Sequence, residues 1–217
     1  MTDVIVDLRY NGGGLLSTSE LLANLLGGGL AGSTMYQLQF NPRHATTANA
    51  VAPFAAEPAA MTPTRIAFLV TGSSASASEL VPNALAAWKT TSLALVGRQT
   101  YGKPVGQAGF SSLRCGTVWY LVSFKLVNKD GAGDYFGGLP TPTFPGCAVG
   151  ADDDLTRETW DPAETQTAAA LAWLASGTCP PPPALGPLSV TGPVAVPDTY
   201  PEATAPTEAQ RHIRGLF

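Results

Sequence analysis

The sequence predicts an α/β domain, and three consecutive stretches predict it. Ile66-Ala-Phe-Leu-Val70 is a short unbroken apolar run of the kind that forms a buried strand. Thr71-Gly-Ser-Ser-Ala-Ser-Ala-Ser-Glu79 then makes a tight Gly/Ser turn and opens a helical pattern from Leu80 to Trp88. Leu93-Ala-Leu-Val96 is a second buried run, so strand 65–71, helix 77–89 and strand 92–97 form a crossover unit.

The remaining elements follow in order. Val4-Ile-Val-Asp-Leu8 is a core strand that runs into Arg9-Tyr-Asn-Gly-Gly-Gly14, where the glycines permit positive φ and close approach to the backbone. Ser17 and Glu20 have capping-box spacing ahead of a short helix that carries Leu21, Leu22, Leu25 and Leu26 and stops at Gly27-Gly-Gly29. Thr34 to Phe40 alternates as a strand. Residues 41–63 hold Pro42, Pro53, Pro58 and Pro63 and are expected to form a surface excursion at the rim of a substrate site. Pro82 falls near the end of the first turn of helix 77–89, where proline is better tolerated than in the interior. Gly116 to Val127 is rich in β-formers and ends at a turn, Asn128-Lys-Asp-Gly131. Asp161-Pro-Ala-Glu164 has the composition of a helix start, and the helix it opens carries Ala168, Leu171, Ala172 and Leu174 as far as Gly177. Residues 1–179 are therefore expected to be one domain, and 180–217 a disordered Pro-rich tail.

Composition bounds the function. At 217 residues the chain suits one sizeable core, and it is 45% hydrophobic but only 13% charged, about half the usual charged fraction. A net charge of −4 without a basic cluster argues against nucleic acid as a partner. No apolar run is long enough to span a bilayer, and no secretory signal precedes the first strand. Because Met1 enters that strand almost at once, the chain is expected to be an N-terminally truncated piece. Cys115, Cys147 and Cys179 lack CxxC spacing, and His44 and His212 are far apart in sequence, so no zinc site is expected.

The chemistry concentrates in the turn after residue 70 and in Gly97-Arg-Gln-Thr-Tyr-Gly-Lys-Pro-Val-Gly-Gln107. A serine at a strand-to-helix turn is exposed at the sheet's edge, beside backbone N–H groups that can hold an anion. Serine becomes a nucleophile only when a neighbour takes its proton, and a lysine does so when burial disfavours its charged form. Lys103, one of four lysines, sits in a Gly-flanked turn just past a buried strand. Taken alone, a Ser-rich helix start is commonly a cap and a turn lysine is commonly solvated. Gly97-x-x-x-x-Gly102-Lys103 also imitates a phosphate-binding loop, but Pro104 stands where its magnesium-binding hydroxyl belongs. The G-x-S-x-G elbow is absent, since counting from Gly72 its last position is Ser76.

At Asp7-Leu-Arg-Tyr-Asn-Gly-Gly-Gly14, Ser74-Ala-Ser-Ala-Ser-Glu79 and Thr100-Tyr-Gly-Lys-Pro-Val-Gly-Gln107 the sequence resembles the C-terminal processing peptidases. These are S41-type serine proteases that include the tail-specific proteases. The likeness is good over about residues 3 to 127 and looser beyond. It implies a crotonase/ClpP-like spiral ββα core and a serine endopeptidase. It also implies Ser76 as nucleophile, Lys103 as general base and Gln107 as the residue that orients the lysine. The implied oxyanion donors are the N–H of Ala77 and of Gly13, with Gly12 close behind. Such a site needs no cofactor and no metal, acts on polypeptide, and is expected outside the cytoplasm.

Two departures accompany the likeness. The Ser76-to-Lys103 interval of 27 positions is longer than usual, with the excess at Ala87 to Ser92, and no PDZ-like module or N-terminal helical region is present. Glu79 is expected only to close a cap. Cys147 and Cys179 bracket the last helix and are expected to pair, leaving Cys115 over. The alternative reading is a non-catalytic binding module of the same fold for a peptide or hydrophobic ligand, because fold alone does not certify activity.

Overall fold

The computed structural model describes residues 3–111 and 116–180. Within them the order is β1 (Asp3–Asp7), α1 (Leu16–Leu26), β2 (Thr34–Phe40), α2 (Ala45–Ala48), β3 (Ala50–Pro53) and β4 (Arg65–Val70). There follow α3 (Ala77–Ala86), β5 (Leu93–Gly97), β6 (Val105–Ser111), β7 (Val118–Val127), β8 (Cys147–Val149) and α4 (Thr165–Ser176).

Four strands form a parallel sheet in the order β1-β4-β5-β8. β4 is central and apolar on both faces, as expected of a parallel strand covered on both sides. Its alternate residues divide the core. Ile66, Phe68 and Val70 join Leu26 of α1 and Leu80 and Leu85 of α3 in one cluster. Ala67 and Leu69 join Ala94, Val96, Trp173 and Leu174 in another, beneath α4. Each fully buried leucine or phenylalanine contributes about 1.5–3 kcal/mol, so these clusters fix which way each helix faces. The other four strands form an antiparallel sheet, β3-β2-β7-β6, and Leu126 and Tyr36 carry it into the first cluster. The β6–β7 hairpin runs outward from that core and exposes Phe110, Trp119, Tyr120, Leu121 and Val122.

The register places the carboxyl ends of three strands together: Asp7 pairs with Leu69, and Val70 with Gly97. In open parallel sheets this edge is where ligands bind. The turn between α3 and β5, residues 87–92, lies at the opposite edge, away from the return of the chain after Gly97. There Trp88 and Lys89 bond back to the Leu85 carbonyl, and Ser92 to that of Lys89.

Several local expectations need correction. Ser17 does not cap α1; the helix begins after Leu15, which has no side-chain acceptor, and Glu20 instead accepts from the Tyr36 hydroxyl. Residues 41–63 are not wholly excursion, because Ala50–Pro53 pairs with β2 and Phe54 is buried. Asp161 does not cap the last helix. The helix starts one turn later, where Glu164 accepts from the N–H groups of Gln166 and Thr167. Its buried face is Gln166, Thr167, Ala170, Trp173 and Leu174, whereas Leu171 is exposed. Strands β6 and β8 went unpredicted, the first because its two glycines and its polar residues hide a strand pattern. Gly177 ends α4 in the left-handed conformation, and Cys147 is disulfide-bonded to Cys179, with Cα atoms 5.6 Å apart. Cys115 and the tail from residue 181 lie outside the described residues.

Candidate active site

Three turns meet at the carboxyl edge of the parallel sheet. The first leaves β1, with Tyr10 at φ 61° and Gly13 at φ 100°. The second leaves β4 and ends at Ser76. The third leaves β5 and contains Lys103.

The first two turns are stitched together by backbone. Ser74 is buried; its hydroxyl donates to the Leu8 carbonyl (2.7 Å) and accepts from the Thr71 N–H (3.0 Å). The Ala75 N–H donates to the Asn11 carbonyl (3.0 Å), and Asn11 Oδ1 accepts from the Gly13 N–H (3.0 Å). Gly13 is thereby pressed against the serine turn. A Cβ there would lie 2.7 Å from the Ala75 oxygen and 2.8 Å from both the Ala77 nitrogen and Ser76 Cβ. We therefore expect Gly13→Ala to push the two turns apart. It should lose about 1–3 kcal/mol of stability through its positive φ alone, read from the chemical-denaturation midpoint.

Ser76 is half-buried and sits immediately before α3 with φ 58° and ψ −119°, a conformation rare for any residue but glycine. Ala77 is the first residue of that helix, so no turn of the helix can satisfy its N–H. Beside these groups lies a cleft of about 170 Å³, walled by Leu8, Leu15, Leu22 and Val81 and reaching Gly13 and Ala77.

Glu79 joins the second turn to the third. Its carboxylate is 1% exposed and accepts four hydrogen bonds. Oε2 takes the Ser76 N–H (2.7 Å) and the Lys103 N–H (2.8 Å), while Oε1 takes the Gly102 N–H (2.8 Å) and the Thr100 hydroxyl (2.5 Å). One carboxylate oxygen thus bridges the main chains of the two residues singled out as nucleophile and base. The third turn is held on its other side as well, by Tyr101 N–H to the Ser74 carbonyl and Thr100 N–H to the Leu139 carbonyl, both 2.9 Å. Burial, together with the Glu79 charge, pushes the Tyr135 phenol well above its ordinary range, so that ring stays neutral beneath the site. Lys103 is half-buried rather than fully enclosed. Gln107 lies exposed on β6, where the register with β7 shifts between Gly106 and Gln107; such a bulge re-aims side chains.

Arg9 anchors the base of the first turn. Its guanidinium bonds Asp7 through Nε and Nη2 and lies 3.1 Å from Asp153 and 3.2 Å from Glu164. Burial alone would raise the Glu164 carboxyl, but hydrogen bonds from Gln166, Thr167 and Asp154 outweigh it and bring the group from 4.5 down to about 2. A depressed carboxyl contributes stability that is present above its unfolded value and is lost as pH falls through its folded value. The stability advantage of the wild type over Glu164→Gln should therefore be full above about pH 4.5 and shrink toward pH 2, as read from unfolding midpoints across that range.

Sequence reasoning gave Glu79 and Glu164 only helix-start roles, and the Ser76 N–H does donate to Glu79 as a cap. It missed the Glu79 bonds to the lysine turn, the Glu164 contact with Arg9, and Asn11. The available signal for Glu79 was a carboxylate in the first turn of a helix whose residues are all buried, where only a buried set of donors would keep it.

The family model for peptidase family S41 matches residues 1–139. The chain belongs to that family. Among solved structures, a Bacteroides fragilis protein assigned to the S41 proteases is similar, with a TM-score of 0.67 and 23% identity over 82% of this chain and 46% of that one. A photosystem II D1 C-terminal processing protease has a TM-score of 0.53 and 21% identity, covering 70% of this chain and 35% of that one. A lipoprotein of Streptococcus agalactiae has a TM-score of 0.55 and 17% identity over 82% of this chain and 55% of that one. The chain thus has the mixed α/β fold of S41 proteases and spans less than half the length of the first two neighbours. No curated protein sequence matches it.

Proposed function

We propose that this chain carries the catalytic site of a serine endopeptidase acting on exposed or unfolded polypeptide. The observation that supports it best is the Glu79 bridge, which ties the Ser76 and Lys103 backbones to one buried oxygen in a member of a peptidase family. Ser76 Oγ attacks the peptide carbonyl carbon while neutral Lys103 takes the hydroxyl proton. The tetrahedral oxyanion is held by the Ala77 N–H and an N–H of the glycine turn, at Gly13 or Gly12. Gly13 is the glycine seated against Ala77; its N–H donates to Asn11 Oδ1, so its donor role requires that bond to be exchanged for one to the oxyanion. Collapse breaks the C–N bond, and Lys103 returns the proton to the leaving amine. Water, giving its proton to Lys103, then attacks the Ser76 ester; the acyl C–Oγ bond breaks, Lys103 returns the proton to Ser76 Oγ, and the acid is released. Gln107 orients the lysine amine from β6.

We place this reaction outside the cytoplasm, because the Cys147–Cys179 bond belongs to an oxidising compartment. Among the described residues no helix is long and apolar enough to cross a membrane.

The test is digestion of an unfolded polypeptide by the purified chain, with new termini identified by mass spectrometry and Ser76→Ala as control. Cleavage abolished in the control supports the reading. Binding of the polypeptide without cleavage by the wild type would replace it with a non-catalytic binding module.

A further inference from the structure

Glu164 lies past residue 139, where the family match ends, and on none of the three turns that carry the proposed chemistry. It is nevertheless 1% exposed, and besides the Asp154 N–H (3.3 Å) its oxygens meet partners in two places. At the start of α4 it takes the Gln166 N–H (3.0 Å), the Thr167 N–H (2.9 Å) and the Thr167 hydroxyl (2.7 Å). Its Oε2 also lies 3.2 Å from Arg9 Nη1, which Asp153 shares at 3.1 Å.

The remaining partner of Arg9, Asp7, is two residues back at the end of β1, so it ties the guanidinium only to the strand that the turn leaves. Only Asp153 and Glu164 tie it to distant chain. Arg9 in turn precedes the left-handed Tyr10, whose N–H reaches Thr71 Oγ1 (3.3 Å), and Asn11, whose two oxygens hold Ala75 and Gly13. α4 itself is held at both ends. The Gln166 side chain donates to the Val70 carbonyl (3.2 Å), Arg65 Nη1 donates to the Leu174 carbonyl, and the disulfide fastens the segment past Gly177 to β8.

We propose that Glu164 is a positioning residue: acting through Arg9, it holds the Tyr10–Gly14 turn so that Gly13 stays seated on the Ser76–Ala77 backbone. Its consequence for turnover rests on the peptidase reading above; its consequence for the turn does not.

Glu164→Gln and Asp153→Asn are compared with the wild-type chain by amide hydrogen exchange and by kcat and KM on a peptide substrate. Asp153→Asn removes a charge from the same Arg9 nitrogen without touching the α4 cap, and so separates positioning from capping. In both variants exchange at the Asn11, Gly13 and Ala75 amides is expected to rise at least about tenfold while β4 and α3 stay protected. With it, kcat falls between about ten- and a hundredfold and KM stays within about twofold. Unchanged exchange at those three amides in both variants would overturn the proposal, and so would a loss confined to Glu164→Gln with fraying of residues 165–168 alone. A wild-type chain that cleaves nothing would sink the peptidase reading, and the exchange arm would still decide this one.

Discussion

Ser76→Ala and Lys103→Ala are each expected to lower peptide hydrolysis by at least about a thousandfold, with unfolding midpoints close to wild type. The size follows from the mechanism, since serine is a weak nucleophile at its own pKa and nothing else at the site is proposed to take its proton. The double variant should be little worse than either single one, because groups that act as a unit are grossly non-additive. The folded state should tolerate both changes. What holds Ser76 in its unusual backbone geometry is its N–H bond to Glu79, and what holds Lys103 in place is its own N–H bond to the same oxygen, so neither restraint uses the truncated side chain. Steady-state rates on a peptide substrate, with circular dichroism melts alongside, check both halves.

Glu79→Ala should do the opposite to the fold and the same to the reaction. It strands the N–H groups of Ser76, Gly102 and Lys103 and the Thr100 hydroxyl in a region where the carboxylate is almost wholly buried. Each buried donor left without a partner costs about 1–3 kcal/mol, so a loss of at least about 3 kcal/mol is expected in urea unfolding. Glu79→Gln keeps one acceptor oxygen and should fall between the alanine variant and wild type. Turnover should drop in both, because the serine and lysine turns lose the atom they share. A Glu79→Ala protein as stable as wild type would mean that these bonds add nothing net over solvation.

The sequence carried the parallel core plainly. The runs at 66–70 and 93–96 are apolar on both faces, and the helix between them is bounded by a Ser turn and a break before Leu93, so periodicity and punctuation agree. The turns that carry Ser76 and Lys103 were legible for the same reason, because each follows the end of such a strand; the roles expected of the two side chains came from the family resemblance. What could not be read was the bond between the turns. Glu79 has cap spacing to Ser76, a local relation, whereas its other partners are 21 to 24 positions away and are mostly backbone N–H groups, which have no sequence signature. The same holds for Glu164, whose contact with Arg9 joins the first turn to the start of the last described helix. The capping errors at Ser17 and Asp161 share a cause: spacing names a possible box, but packing of the following helix decides which residue stands at its end.

The most direct test of the central claim is the rate at which a serine-directed acylating probe modifies the intact chain, read by peptide mapping in wild type and in Lys103→Ala. The account predicts a single adduct on Ser76 in the wild type, and at least about a thousandfold slower labelling without the Lys103 amine. Equal labelling rates in the two proteins, or an adduct on any other serine, would contradict it.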